Sequence, residues 1–205
     1  MTTAEPSAPP IGVAAFDFDG TLVGRDSFVP FLARVVGRRE LGRTVMFFGP
    51  TLARAFGLGR RDATKAALLA RLLSGYSWQD LQDKGESYSA ELERRIRPAM
   101  AQRISWHRNE GHRLVIVSAG LAVYLEPLGR RLGFDAVLAT ALEVGADGLL
   151  TGRLQGANVR RGEKATRLRD WMAGELGGEP WELWAYGDSA GDRELLAMAH
   201  HPRRV

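Results

Sequence analysis

Six apolar or small residues, Ile11 to Phe16, run directly into Asp17-Phe18-Asp19-Gly20. A nearly continuous apolar run of this length suits a strand buried on both faces, as in parallel sheets covered by helices on each side. In such open α/β sheets ligands bind just beyond the carboxyl ends of the strands. One short segment therefore predicts both a layered architecture and the place where chemistry sits. Asp17 and Asp19 would share a face if the strand continued, and Gly20 lets the backbone turn where a side chain would obstruct. A carboxylate at this position can attack phosphorus and form an aspartyl-phosphate. A second one nearby can protonate a leaving oxygen and later activate water. Taken alone, the same residues also describe a strand followed by a polar turn with capping aspartates.

Three further stretches narrow the choice. His112 to Val117 reads as a second buried strand, followed by Ser118-Ala119-Gly120. A serine hydroxyl and neighbouring backbone N–H groups can hold phosphate oxygens at the N-terminus of a following helix, although a lone serine there also suits an N-cap. Lys164 stands early in the amphipathic segment Glu163 to Leu176, where its ammonium would neutralise charge on a transferring phosphoryl group. Trp181 to Tyr186 reads as a strand ending in Gly187-Asp188, with Asp192 near the start of a helical segment, Arg193 to Ala199. Hard carboxylate oxygens gathered at strand ends suit magnesium, which keeps several waters and takes few protein ligands.

In this order the motifs resemble those of the haloacid dehalogenase-type phosphatases, most closely the subfamily, IB, that contains the phosphoserine phosphatases. The resemblance covers about Ile11 to Asp26 and His107 to Ala199. It implies a doubly wound, Rossmann-like α/β core, residues 11–25 and 107–205, with a helical cap, residues 26–106, inserted after the first strand. It also implies Asp17 as nucleophile and Asp19 as general acid/base. Ser118, Lys164, Gly20 and Ala119 would bind phosphate, and Asp17, Asp188, Asp192 and the carbonyl of Asp19 would bind Mg2+. The dehalogenases of the superfamily lack the second aspartate, so Asp19 points to phosphate chemistry. Asp26 stands where the phosphoserine enzymes usually carry a glutamate that binds the substrate amine. Ala119 replaces a glycine and Gly191 an asparagine. Phosphoserine is thus the expected substrate type, with a phospholipid such as lysophosphatidate or phosphatidylglycerol phosphate as the alternative.

Between Asp26 and Trp106 the pattern turns helical. Phe28, Phe31, Leu32, Val35 and Val36 give one apolar face. Further helices are expected over Leu41–Phe56, with Pro50 as a kink or break, over Ala63–Leu73 and over Trp78–Arg95. Residues 26–71 hold nine lysines and arginines against three acids, a surplus of six in a chain whose net charge is +4. Solvated helix faces account for such a surplus; so does attraction of an anionic substrate or membrane surface. Thr44 to Leu58 is apolar and flanked by arginines, too short and interrupted to span a bilayer, which takes roughly 20 apolar residues, but able to lie in an interface.

The sequence pI of about 9.8 is that of many nucleic-acid-binding domains. There is, however, no aromatic–basic interleaving and no zinc-ligand spacing, and the aspartates would repel phosphate without a metal, so no nucleic-acid partner is expected. A scaffold that only binds a partner usually loses a nucleophile, acid or metal ligand, and none is missing. The absence of cysteine removes disulfide, zinc-thiolate and cysteine-nucleophile chemistry and fits a cytoplasmic setting. Met1–Pro10 has no apolar signal core and reads as a disordered tail. Leu142–Leu154 reads as a hairpin turning at Ala146-Asp147-Gly148. His200-His201 are expected to cap or flank the last helix, and Arg160-Arg161 to approach the entrance near Lys164.

Overall fold

The computed structural model describes residues 9–57 and 61–205, without the side chains of 48, 50–57 and 61. The expected tail up to residue 8, Leu58, Arg60, the side chains of Arg54 and Arg61 and the other side chains of the latter part of Thr44–Leu58, 48 and 50–57, lie outside the described residues.

β1 (Ile11–Phe16) is followed by five helices: α1 (Phe28–Val36), α2 (Arg38–Gly57), α3 (Arg61–Leu73), α4 (Trp78–Glu93) and α5 (Pro98–Asn109). Then come β2 (Arg113–Leu121), α6 (Ala122–Leu132), β3 (Ala136–Val144), β4 (Leu150–Gln155), α7 (Gly162–Glu175), β5 (Trp181–Gly187), a 3-10 turn at Ala190–Asp192, α8 (Arg193–Ala197) and β6 (His201–Arg204). The strands form one sheet in the order β4-β3-β2-β1-β5-β6. β3 and β4 pair antiparallel, as the hairpin reading expects; the other pairs are parallel.

Alternation along β1 explains the two layers. Ala14 and Phe16 join the core formed with α1, α4 and α6, whereas Val13 and Ala15 pack with Leu168, Met172 and Leu195 of α7 and α8. A strand buried on both sides has no face left for polar residues, so its first carboxylate comes only where the strand ends. The chain adds β2 and β3 on one side of β1 and then returns to add β5 and β6 on the other. Phe16 lies opposite both Ile116 and Tyr186. This reversal at β1 is the switch point where α/β sheets open a crevice, and Asp17 stands at its edge.

Some local expectations are corrected. Of the kink or break expected at Pro50, the break is absent: the backbone of α2 stays helical through it. His201 opens β6, with its Nε2 2.7 Å from Glu182 Oε1, and the backbone N–H of Leu183 donates to His200 Nδ1 at 3.0 Å. Both histidines therefore serve the sheet and do not cap α8. α5, whose only buried positions are Met100, Ile104 and His107, had too thin an apolar stripe to stand out in the sequence; it packs on β2.

The insert docks onto the core mainly through α4 against α6. The helices meet so closely at Gly85 that a Cβ there would lie 2.3 Å from the carbonyl oxygen of Val123. Gly85→Ala must push α4 off α6, and thermal denaturation is expected to show a loss of about 1–3 kcal/mol, the usual cost of overpacking. An unchanged midpoint would contradict this packing.

Candidate active site

Backbone geometry after β1 brings the aspartates together. The N–H of Asp17 still donates to Tyr186 O (2.9 Å), and the chain then turns tightly, with Val23 N–H donating to Phe18 O (3.1 Å) and Gly20 N–H to Val23 O (2.8 Å). Gly20 was expected to hold phosphate. Its N–H is instead used inside the turn, and the residue meets a steric demand: φ is +86°, and a Cβ would lie 2.3 Å from Asp188 Oδ2. Arg97 of the insert fastens the turn from outside, donating to the carbonyls of Gly20 and Thr21 at 3.2 and 3.3 Å.

Lys164, on the first turn of α7, donates to Asp17 Oδ1 and Asp192 Oδ1, both at 2.5 Å. All three side chains are buried. Burial opposes the charge on Lys164, but the two carboxylates outweigh it and hold the ammonium above its ordinary pKa. Burial pushes the Asp17 carboxyl up to about 6, with Lys164 pulling against it. Asp192 goes the other way: burial would raise it, and Lys164 with the N–H and hydroxyl of Ser189 brings it below its usual value.

Asp17, Asp188 and Asp192 present carboxylate oxygens within 4.8 Å of one another. Asp192 has both oxygens engaged, by Lys164 and Ser189, whereas Asp188 Oδ1 is buried with no hydrogen-bond partner. Burial, followed by the charge of Asp192, raises the pKa of Asp188. A buried oxygen without a donor beside two further carboxylates is what a hard cation would satisfy. The residues present thus fit a magnesium ion on Asp17 and Asp188, with Asp192 contributing charge from behind.

Asp19 has different surroundings. Its Oδ1 is buried and unpartnered, and burial pushes its pKa up to about 7 against hydrogen bonds from Ser27. Ser27 is itself held by Tyr124 Oη, 3.0 Å from its hydroxyl, and by Tyr88, whose hydroxyl donates to its carbonyl at 3.1 Å. Nothing in the sequence separated Ser27 from an ordinary N-cap.

Ser118 is buried at the end of β2, and its Oγ accepts from the N–H of Gly120 at 3.0 Å. The expected helix N-terminus at this point is corrected: β2 runs on to Leu121 and α6 starts at Ala122, because Val117–Leu121 stays in the sheet beside β3 across an irregular register. The Ala119 carbonyl accepts from Lys65 Nζ and from Thr140 Oγ1 (3.1 Å). Lys65 also donates to Asn158 Oδ1 at 2.8 Å, and Asn158 Nδ2 donates to Asp62 at 2.6 Å. This chain of bonds ties α3 of the insert to the end of β2 and the middle of β3. Burial lowers Lys65 to about 8. In the sequence Lys65 counted only toward the basic surplus, and Asn158 and Thr140 gave no signal.

A cavity of about 170 Å³ opens beside Asp19, lined among others by Asp26, Phe28, Lys65, Asn158 and Arg160. Asp26 is exposed, and one of its oxygens accepts from the N–H of Val29 at 2.9 Å. Arg160, expected near the entrance, is part of the lining.

Gly20→Ala forces a side chain into Asp188 from a backbone conformation that costs an L-residue about 1–2 kcal/mol. The expected result is a folded protein, by circular dichroism, whose affinity for magnesium falls at least about tenfold in calorimetric titration, as when the support of a metal ligand is disturbed. Wild-type affinity would contradict the placement of Asp188.

Comparison with known proteins gives the family. Residues 14–197 match the family described as haloacid dehalogenase-like hydrolase. The chain is 34% identical over 189 residues to Protein CicA of Caulobacter vibrioides, covering 91% of this chain and 82% of that protein. It is 33% identical over 185 residues to Phosphoserine phosphatase SerB2 of Mycobacterium tuberculosis, covering 90% of this chain and 41% of the relative. A crystal structure of a Bordetella pertussis protein of unknown function superposes with a TM-score of 0.77 at 26% identity, covering 92% of this chain and 87% of that one. The chain belongs to the haloacid dehalogenase-like hydrolase family.

Proposed function

We propose that the chain is a magnesium-dependent phosphatase that hydrolyses small phosphomonoesters through a phospho-Asp17 intermediate. The observation that carries this reading is a pair of carboxylates two residues apart in unlike surroundings: Asp17 bonded to a buried ammonium, Asp19 kept near neutrality with an unpartnered oxygen. Two such carboxylates divide the work of nucleophile and proton carrier.

Asp17 attacks phosphorus in line, the bond to the ester oxygen breaks, and Asp19 gives its proton to the departing alkoxide. Asp19, now ionised, takes a proton from water. The water oxygen attacks phosphorus, the bond to Asp17 breaks, and inorganic phosphate leaves. Lys164 neutralises the ionised Asp17 and, with the Ser118 hydroxyl, holds phosphoryl oxygens. Asp17, Asp188 and the Asp19 carbonyl would hold the magnesium ion, which when bound supplies neutralising charge and fixes the in-line geometry. The helical insert acts as a cap: its Lys65 closes over Ala119 and limits water at the acyl phosphate.

The leaving group faces the small cavity, where Asp26 offers a carboxylate to an amine and Lys65 and Arg160 face a carboxylate. A phosphorylated amino alcohol or amino acid fits this set, and phosphoserine, the substrate named for the Mycobacterium tuberculosis relative, is the first candidate. A lipid phosphate is the second reading, favoured by the exposed Met46 and Phe47 on the insert.

Asp17→Asn is expected to abolish phosphate release from every substrate while circular dichroism stays unchanged; near-normal turnover would sink the mechanism. A chelator should stop the wild type, and magnesium, but not calcium, should restore it. Full activity in EDTA would remove the metal from the account. The pH profile follows from the two carboxyls. Asp17 must be ionised, so kcat/KM rises with pH up to about 6, earlier where a cation lowers that value. Asp19 must carry its proton for the first step, so the rate falls as pH rises through about 7. With p-nitrophenyl phosphate, whose leaving group needs no proton, the alkaline fall should vanish from phosphoenzyme formation. A fall of equal size with both substrates would assign it to another group.

A further inference from the structure

Helix α2 turns toward solvent a stripe that the proposed chemistry does not use. Among the described residues its buried positions are Leu41 and Thr44, and it packs mainly against α1 and α3. On the opposite side Arg39, Arg43, Met46 and Phe47 follow at spacings of four, seven and eight residues, which places them on one helical face. Arg38 and Val45 flank them. Met46 is 67% exposed, Phe47 69% and Val45 49%. Scattered exposed apolar residues are ordinary, but three large ones in succession beside three arginines form a patch that calls for an occupant.

We propose that this stripe docks the protein on an anionic lipid surface. Charge selects the occupant: three arginines of α2 (Arg38, Arg39, Arg43) stand against one acid, Glu40, between residues 38 and 47, and Glu40 already lies 3.5 Å from Arg43. Arginine heads can reach lipid phosphates while Met46 and Phe47 enter the interface, the division of labour of an amphipathic surface helix. The stripe is convex and one helix wide, which suits a deformable surface better than a protein partner, for which roughly 800 Å² a side is usual. Among the described residues no helix is long and apolar enough to cross a membrane, so α2 would lie on the surface. It would do so beside α3, which carries Asp62 and Lys65 to the cavity at Asp19. The proposal holds whatever the substrate is.

Co-sedimentation of the full chain with vesicles tests it. Binding to vesicles containing phosphatidylglycerol is expected to exceed binding to pure phosphatidylcholine by at least about tenfold, each basic residue near the surface adding attraction, and to fade in about 0.5 M NaCl. Met46→Ser with Phe47→Ser, and separately Arg39→Gln with Arg43→Gln, should each reduce binding about tenfold, with the thermal midpoint and the hydrolysis of a soluble substrate unchanged. Absence of binding to anionic vesicles, or binding that survives both double substitutions, overturns the proposal. If vesicles are ignored while the apolar double variant dissolves a dimer seen by sedimentation velocity, the occupant is a second copy of the chain and the lipid reading is overturned.

Discussion

Three charged side chains sit out of water at the carboxyl ends of β1 and β5: Lys164 between Asp17 and Asp192. Removing Lys164 would leave two buried carboxylates facing each other without a cation, a loss worth several kcal/mol, whereas removing either carboxylate leaves the ammonium paired with the other. The arrangement constrains everything around it. β1 and β5 must be neighbours so that Asp17 and the 188–192 turn converge, which is why the sheet reverses direction at β1. α7 must begin where Lys164 can reach inward, and Gly20 must lack a side chain so that Asp188 can close the cluster. Such a triad is a poor source of stability compared with apolar packing; under the proposed mechanism its use is a preset field at the place where a phosphoryl group gains and loses charge.

The second carboxylate depends on a different support. Asp19 is neither paired with a cation nor left in water; Ser27 holds it, and the aromatic group of Phe31, Tyr88 and Tyr124 packs about Ser27. Two of these rings come from α1 and α4 of the insert and one from α6 of the core. The surroundings of Asp19 therefore depend on how the insert sits, and so does the turn that Arg97 holds by its carbonyls. In this chain the insert supplies part of the scaffold around Asp19.

The core was legible because its signals are local. The apolar runs of β1 and β5, the carboxylates that end them and the turn of the β3–β4 hairpin all lie within a few consecutive residues. What could not be read depends on contacts between distant segments. Ser27 meets Tyr124 across 97 positions and Lys65 meets Asn158 across 93, and neither serine nor lysine announces such a partner. The misplaced details have the same origin. Ser118 looked like a helix start because the irregular pairing of β2 with β3 beyond Val117 is invisible in the sequence. His200 and His201 looked like helix flanks because a four-residue edge strand, His201–Arg204, carries almost no pattern.

In the proposed mechanism Asp17 is covalently phosphorylated. Borohydride reduction of enzyme quenched during turnover, followed by peptide mass spectrometry, tests it directly, since an aspartyl-phosphate is reduced to homoserine while a free carboxylate is not. Homoserine at position 17, appearing only when substrate and magnesium are present, is the predicted result. Turnover with Asp17 unreduced, or reduction at another carboxylate, would rule out a phospho-Asp17 intermediate.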